Sequence, residues 1–241
     1  MRQVPAFATT PLGIVGDGRV ARHFHHYFNL LGLPVRTWSR RASSSSPADS
    51  LAQCGTVLLL IRDEAIVPFI EAWPRLRAMR LVHCSGSLVT PLAAGAHPLM
   101  TFGPALYELA DYQSVPFVLD DGHAARTVAE LLPGLPNPSY VIPAADRPYY
   151  HALSVMAGNF STMLWLKLGD ELETRFGIPA SAAHPYLAQM AANIAAEGRK
   201  ALTGPLVRGD RQAVAANLKA LEGDPFHAVY AAFTRVYEQR A

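Results

Sequence analysis

The chain of 241 residues has only two cysteines, Cys54 and Cys84, too far apart for a C-x-x-C pair. That excludes a disulfide framework and points to a reducing compartment. Charge is also scarce: Asp, Glu, Lys and Arg make up 17%, and the formal net charge is +2. No basic field of the kind that grips a phosphate backbone is present, so nucleic acid is excluded as an expected partner. The longest stretch free of charged residues and histidine, Ala152 to Leu166, has polar Ser154, Asn159, Ser161 and Thr162 within it. A bilayer span needs about 20 apolar residues. The stretch therefore reads as a buried helix, with no membrane partner expected. The N-terminal MRQVPAFATTPLG lacks the apolar run of a signal peptide. A soluble, cytoplasmic protein is expected.

Half of the residues are hydrophobic, enough for a sizeable core. The first half alternates short β-rich runs with helical segments, the pattern of a parallel sheet with crossovers. Strands are expected at Leu12–Val15, Val35–Trp38, Val57–Ile61 and Leu81–Cys84. Further runs at Ala96-His97, Pro116–Leu119 and Tyr140–Ile142 extend the sheet. A first helix has Val20, Phe24, Tyr27, Phe28 and Leu31 on one face and stops at Gly32 and Pro34. A second is expected from a cap at Asp63 to about Met79. Ala42–Ser50, with four consecutive serines and Pro47, reads as a flexible surface loop.

After about Pro143 the pattern turns wholly helical. Asp146 is placed to cap a helix from Arg147 to Phe176, and others are expected over Ser181–Leu202, Asp210–Leu221 and Phe226–Gln239. The expected architecture is α/β: a Rossmann-type, doubly wound, mostly parallel sheet over residues 1–145, then an all-helical domain over 146–241. The first half of the 147–176 helix is apolar nearly all round, so it must be covered on every side. A helical domain this small cannot enclose it, and a homodimer through that domain is expected.

Gly16-Asp17-Gly18-Arg19-Val20-Ala21 has the form G-x-G-x-x-A, directly after a buried strand and at the start of an amphipathic helix. Gly16 suits the tight turn, Gly18 lets backbone approach a pyrophosphate, and Ala21 lets helix and strand pack closely. The helix N-terminus adds free N–H groups and a positive dipole. About 20 residues on, where NAD-binding units place a carboxylate, the chain has Ser39-Arg40-Arg41, and its next acidic residue is Asp49. Guanidinium groups pair with a 2′-phosphate that a carboxylate repels, so NADP(H) is the expected cofactor. Arg62, at the end of the third strand, borders either the cofactor or only solvent.

Other motifs lie in Ser85-Gly86-Ser87, Ala94-Gly95-Ala96-His97-Pro98-Leu99-Met100-Thr101-Phe102, Tyr150-His151-Ala152, Gly158-Asn159-Phe160 and Leu202-Thr203-Gly204-Pro205-Leu206-Val207-Arg208-Gly209-Asp210. Together with the glycine turn, these resemble bacterial Rossmann-like proteins that carry a C-terminal helical domain of unknown function, the domain of unknown function 2520 family. That family is similar to pyrroline-carboxylate reductase, ketopantoate reductase and the β-hydroxyacid dehydrogenases. The resemblance runs from about Leu12 to Tyr230 and implies NADP binding, dimerisation through the helices and oxidoreductase activity on a small-molecule substrate. Relatives often carry a small residue or Pro where this chain has Arg62.

Hydride transfer to a carbonyl or imine needs a group that gives or takes a proton, and histidine titrates near neutrality. His151 and Asn159 are eight apart on one expected helix, so both can face one crevice. The Lys-Asn pair that β-hydroxyacid dehydrogenases carry there is missing, since the first lysine is Lys167. His151 is the candidate proton donor and Asn159 the candidate for orienting the substrate oxygen; His97 either lines the nicotinamide end or locks a loop. Ser85 is a candidate cofactor contact. His23, His25 and His26 read as a solvated helix face, with no metal set around them. Besides the reductase, a non-catalytic NADP(H) sensor or dimeric scaffold stays open, as does a deazaflavin reductase, against which Arg40 and Arg41 weigh.

Overall fold

The computed structural model describes residues 10–239; the N-terminal stretch expected to carry no signal peptide lies largely outside them. Strand β1 (Leu12–Val15) is buried at every position and leads through a turn into α1 (Arg19–Leu30). There follow β2 (Val35–Trp38), α2 (Pro47–Ser50), β3 (Thr56–Leu59), α3 (Asp63–Ala72) and β4 (Arg80–His83). Next come β5 (Ala94–Pro98), α4 (Leu109–Ser114), β6 (Phe117–Asp120), α5 (Val128–Leu131) and β7 (Ser139–Ile142). The seven strands form one sheet in the order β2-β1-β3-β4-β5-β6-β7, parallel at every pairing except the antiparallel β5–β6. The order reverses at β1, between β2 and β3, so the carboxyl ends of these strands form the crevice in which open α/β sheets bind ligands.

Helices cover both faces. Phe24, Tyr27 and Phe28 of α1 pack with Ile14, Leu58, Val82 and Phe117 on one side. On the other, Ile66 and Ile70 of α3 pack with Val15, Val57 and Leu59. Helix α1 buries its inner stripe because its apolar residues recur at helical spacing.

The remaining helices are α6 (Arg147–Val155), α7 (Ser161–Phe176), α8 (His184–Glu197), α9 (Arg211–Ala220) and α10 (Phe226–Glu238). By contacts the chain divides into residues 1–161 and 162–241, so α6 belongs with the sheet rather than with the helices after it. Within the second unit, Lys167 ties Glu171 at 2.7 Å and Asp224 at 2.6 Å, and Trp165 meets the Tyr186 ring edge-on. Among the described residues of that unit only Thr234 is buried.

Several sequence expectations need correction. The helix expected to run unbroken from Arg147 to Phe176 is interrupted by a π-helical turn over Met156–Phe160, which inserts an extra residue that 3.6-residue periodicity does not register. Asp146 stands at the cap position of α6, but its side chain makes no cap bond. Asp63 is the first helical residue of α3 rather than its cap, because its carboxylate accepts the Ser85 hydroxyl instead. That helix ends at Ala72, and Pro74 starts a 3₁₀ turn up to Ala78. The serine-rich segment is not an unstructured loop. Ser46 caps α2 by accepting from the Asp49 amide at 3.1 Å, and Pro47 and Ala48 are buried.

His83, at the end of β4, is fully buried and neither ring nitrogen has a partner among the described residues. Burial, with Arg147 and His123 nearby, pushes its pKa down to about 3. An unfolded histidine titrates near 6.5, so the unfolded chain takes up a proton that the folded one refuses. Stability is therefore full above pH of about 6.5 and is lost as pH falls from there toward 3. We predict that denaturant unfolding at pH 5 shows a loss of about 2 kcal/mol from this group relative to pH 7.5, and that His83→Leu reduces the slope. An unchanged slope in the variant would exclude His83 as its source.

Candidate functional site

The site begins at the β1–α1 turn. Gly16 has φ +127°, and a Cβ there would run into the Leu60 carbonyl oxygen. Only glycine fits. Gly18 is different: its φ is −73° and a Cβ added there would meet nothing within 4 Å. The protein's own packing gives no reason for the second glycine, and the space in front of it is open. Gly18 is also the N-cap of α1 and supplies no side-chain cap, so the first amides of this twelve-residue helix are not capped by a side chain. Ala21, the last residue of the motif, is buried against the sheet.

A cleft of about 810 Å³ lies over the carboxyl ends of β1, β2 and β3. Gly16, Asp17, Gly18, Ser39, Arg40, Arg41 and Arg62 all line it. The fold thus gathers seven of the ten expected cofactor residues around one opening. Arg40 and Arg41 are exposed and neither has an ion-pair partner among the described residues. Arg62 pairs only with Glu64 at 3.6 Å, and both side chains are well exposed, so the pair holds it loosely. These groups are available to an anionic nucleotide. The other three do not line the cleft. Arg19 donates to the Phe102 carbonyl at 3.3 Å, and Val20 packs on the core. The Ser85 hydroxyl is fully engaged: it donates to Asp63 and accepts from the Leu88 amide at 3.0 Å and the Ser87 amide at 3.3 Å.

A second group of residues collects beyond the ends of β4, β5 and β6, around the start of α6. Arg147, fully buried, pairs with buried Asp120 at 3.3 Å and donates to the carbonyls of Ser85 and Val118. This fixes the first turn of α6, and with it Tyr150 and His151. The Tyr150 hydroxyl lies 2.8 Å from His97 Nδ1, and the His97 and His151 rings meet edge-on at 5.7 Å. His151 packs so closely on Gly86 that a Cβ at Gly86 would strike its ring. Burial, then the neighbouring His151 and Arg147, pushes His97 down to about 4, so it is neutral at physiological pH. Burial also raises Tyr150 above the usual phenol value.

The structure therefore brings two of the candidate residues, His97 and His151, together, a pairing the sequence did not indicate, and adds Tyr150, Arg147 and Asp120. The signal for Tyr150 was its place beside His151; nothing local marked Arg147 as a buried cation. Asn159 is exposed on the π-helical turn.

His23 is not on a solvated face, contrary to expectation. It is buried, with Nδ1 2.7 Å from the Tyr112 hydroxyl and Nε2 2.9 Å from the Gly103 carbonyl, because aromatic Phe102, Tyr107 and Tyr112 close over it. His25 is exposed and bonds only Asn29, at 3.3 Å. Among the described residues no cluster of three or more histidine, cysteine or carboxylate groups could hold a metal ion.

Comparison with known proteins adds a family. The model of a domain of unknown function, DUF2520, matches residues 115–237, just over half of the chain. The chain belongs to the DUF2520 family. No curated protein matches it. Among solved structures, this DUF2520 protein is similar to a Bacteroides fragilis protein assigned as an NADP oxidoreductase, with 19% identity and a TM-score of 0.74 over 95% of this chain and 98% of that one. It is also similar to an imine reductase from Pseudomonas sp., with 17% identity and a TM-score of 0.64 over 97% and 95%. A third is the reductive aminase of Aspergillus terreus in complex with NADPH and ethyl-5-oxohexanoate, with 17% identity and a TM-score of 0.60 over 96% and 93%. At these identities the likeness establishes the fold: a Rossmann-type sheet followed by helices.

The two glycines make separable predictions about folding. Gly16→Ala should cost more than about 1 kcal/mol, because φ is positive and the backbone of Leu60 stands in the way. Gly18→Ala should change stability by less than about 0.5 kcal/mol. Denaturant midpoints of the two variants check this; equal losses would contradict it.

Proposed function

We propose that the chain is an NADP(H)-dependent oxidoreductase acting on a small carbonyl, imine or hydroxy-acid compound. The observation that carries the reading is the cleft over β1, β2 and β3, where Gly18, with open space in front of it, starts α1 and two unpaired arginines stand at the end of β2. The residues fit the cofactor: the amides at the start of α1 take the pyrophosphate, Gly18 lets it approach, and Arg40 and Arg41 take the 2′-phosphate. Arg62 borders the adenosine end. The names of the similar structures, an NADP oxidoreductase, an imine reductase and an NADPH-bound reductive aminase, support the same reading. Bound NADPH would supply the hydride. The chain would supply the proton from the His97–His151 group, with Asn159 orienting the substrate oxygen. The two free cysteines suit a reducing compartment, and the proposed location is the cytoplasm. No described helix is long and apolar enough to cross a membrane.

Calorimetric titration tests the cofactor. NADPH should bind at least tenfold more tightly than NADH, about 1.4 kcal/mol, and Arg40→Ala with Arg41→Ala should remove most of that gap. Gly18→Ala should weaken NADPH while leaving the fold intact. A screen of NADPH oxidation against small ketones, imines and keto acids then tests the chemistry. Equal affinity for NADPH and NADH would sink the cofactor assignment. Tight NADPH binding with no turnover across the screen would favour a sensor or scaffold, the reading that the missing lysine supports.

The second unit points to a homodimer. Met163, Leu166 and Phe176 of α7, Ile194 of α8 and Phe233 of α10 are each about half exposed or more. A helical unit whose apolar side chains are left open in this way needs an equally apolar partner, and an identical unit provides one by two-fold symmetry. Light scattering should give twice the 26.1 kDa chain mass, stable to dilution through the micromolar range. A single-chain mass independent of concentration would contradict the dimer.

A further inference from the structure

The two histidines at the start of α6 differ in one respect. His97 is anchored through Nδ1 by the Tyr150 hydroxyl at 2.8 Å, whereas His151 makes no hydrogen bond among the described residues and is held by packing on Gly86 and on the His97 ring. A general acid works when a third group fixes its orientation and its tautomer. We propose that His97 is the proton-transfer residue of this site and that Tyr150 is its positioning partner, fixing the imidazole as the Nε2–H tautomer. The proposal rests on the oxidoreductase reading above for its reaction, but not for its geometry.

The direction of the bond follows from acid strength. A phenol is a far better donor than a neutral imidazole N–H, and an imidazole lone pair is a better acceptor than a phenol oxygen. The O–H of Tyr150 therefore donates to Nδ1, and the single ring proton resides on Nε2. That nitrogen has no partner among the described residues and, unlike both nitrogens of His83, is not sealed from solvent. Burial keeps Tyr150 protonated and His97 neutral near pH 7, so both protons are in place before substrate arrives.

In the reducing direction, Nε2 gives its proton to the substrate oxygen or nitrogen as that atom gains an electron pair. Nδ1 simultaneously takes the Tyr150 proton, so the ring stays neutral and never becomes an imidazolate. The phenolate left behind is stabilised by the charge of Arg147 and takes its proton back from Nδ1 as water reprotonates Nε2, the ring nitrogen open to solvent, which restores the starting tautomer. The net proton consumed comes from solvent. Oxidation runs the same transfers in reverse. His151, in this arrangement, is a wall that limits rotation of the His97 ring.

The test combines a spectroscopic arm with a kinetic one. Long-range ¹H–¹⁵N spectra of the intact ¹⁵N-histidine-labelled protein, with His97 assigned by loss of its signals in His97→Gln, should show Nε2 protonated and Nδ1 bare at pH 7. In Tyr150→Phe the two tautomers should both be populated, as in free imidazole. With a substrate from the screen, His97→Ala should lower kcat by about 10²- to 10⁴-fold. Tyr150→Phe should lower kcat about tenfold or more with KM for NADPH unchanged, and His151→Ala should lower kcat less than tenfold. Protonated Nδ1 in the unmodified protein, or a tautomer ratio indifferent to Tyr150→Phe, overturns the proposal while leaving the oxidoreductase reading intact. So does a His151→Ala loss that exceeds the His97→Ala loss. A screen that finds no turnover removes the oxidoreductase reading, and the spectra still decide the tautomer.

Discussion

The buried pair of Arg147 and Asp120 is the constraint on which the cluster at the start of α6, the proposed reaction end of the site, depends. Neither side chain reaches solvent to any useful extent, and one guanidinium serves the Asp120 carboxylate, the Ser85 carbonyl and the Val118 carbonyl together. The sequence makes room for it at Gly95, where a Cβ would lie 2.6 Å from Asp120 Oδ2 and 2.9 Å from Arg147 Cζ. Burying two charges earns little net stability, but removing one of them strands the other at a cost of about 3–5 kcal/mol. The pair therefore specifies position more than it stabilises. It pins the first turn of α6 to the ends of β4 and β6, and three and four residues later that turn delivers Tyr150 and His151 to His97 and Gly86.

The two ends of the site are built on different physics. At the nucleotide end the work is done by backbone: a positive φ at Gly16, an empty approach at Gly18 and the amides that start α1. Side chains there, Arg40, Arg41 and Arg62, are exposed, so in the proposed reading they would select among nucleotides without organising the fold. At the reaction end the side chains organise one another. His97 is held by Tyr150, Tyr150 by α6, and α6 by Arg147, while Ser85 spends its hydroxyl on Asp63 and on two amides of its own turn. Rigidity accumulates where the proposed reaction would need a proton placed to within a fraction of an ångström.

This difference decides what could be read from sequence. The glycine turn was legible because its constraints are local: a strand, two glycines and a helix within ten residues leave few alternatives. The mostly parallel sheet was legible for the same reason, strand by strand. Arg147 was not legible, since its partners at 85, 118 and 120 are brought to it only by the fold. Nor was the burial of His23, which follows from Phe102, Tyr107 and Tyr112 arriving from distant positions. Asp63 satisfied the rule for a helix cap but found a stronger partner in Ser85, and a serine-rich stretch became a capped turn once Pro47 and Ala48 had somewhere to be buried. Local propensity yields in each case to a contact that it cannot see.

The helical unit shows the converse. Its helices were legible to within a few residues, because capping, glycine stops and apolar content are local, but their spacing gave no single core face. The π turn sharpens the reason. The turn at Met156–Phe160 adds a residue to the helical run, so apolar positions before and after it in sequence do not follow one 3.6-residue period. Leu153 and Met163 are 48% and 54% exposed, on opposite sides of the turn. Within the helical unit itself, Met163, Leu166, Ile194 and Phe233 are all left open. In the proposed homodimer a second copy would cover these side chains, as a helix without a polar face requires.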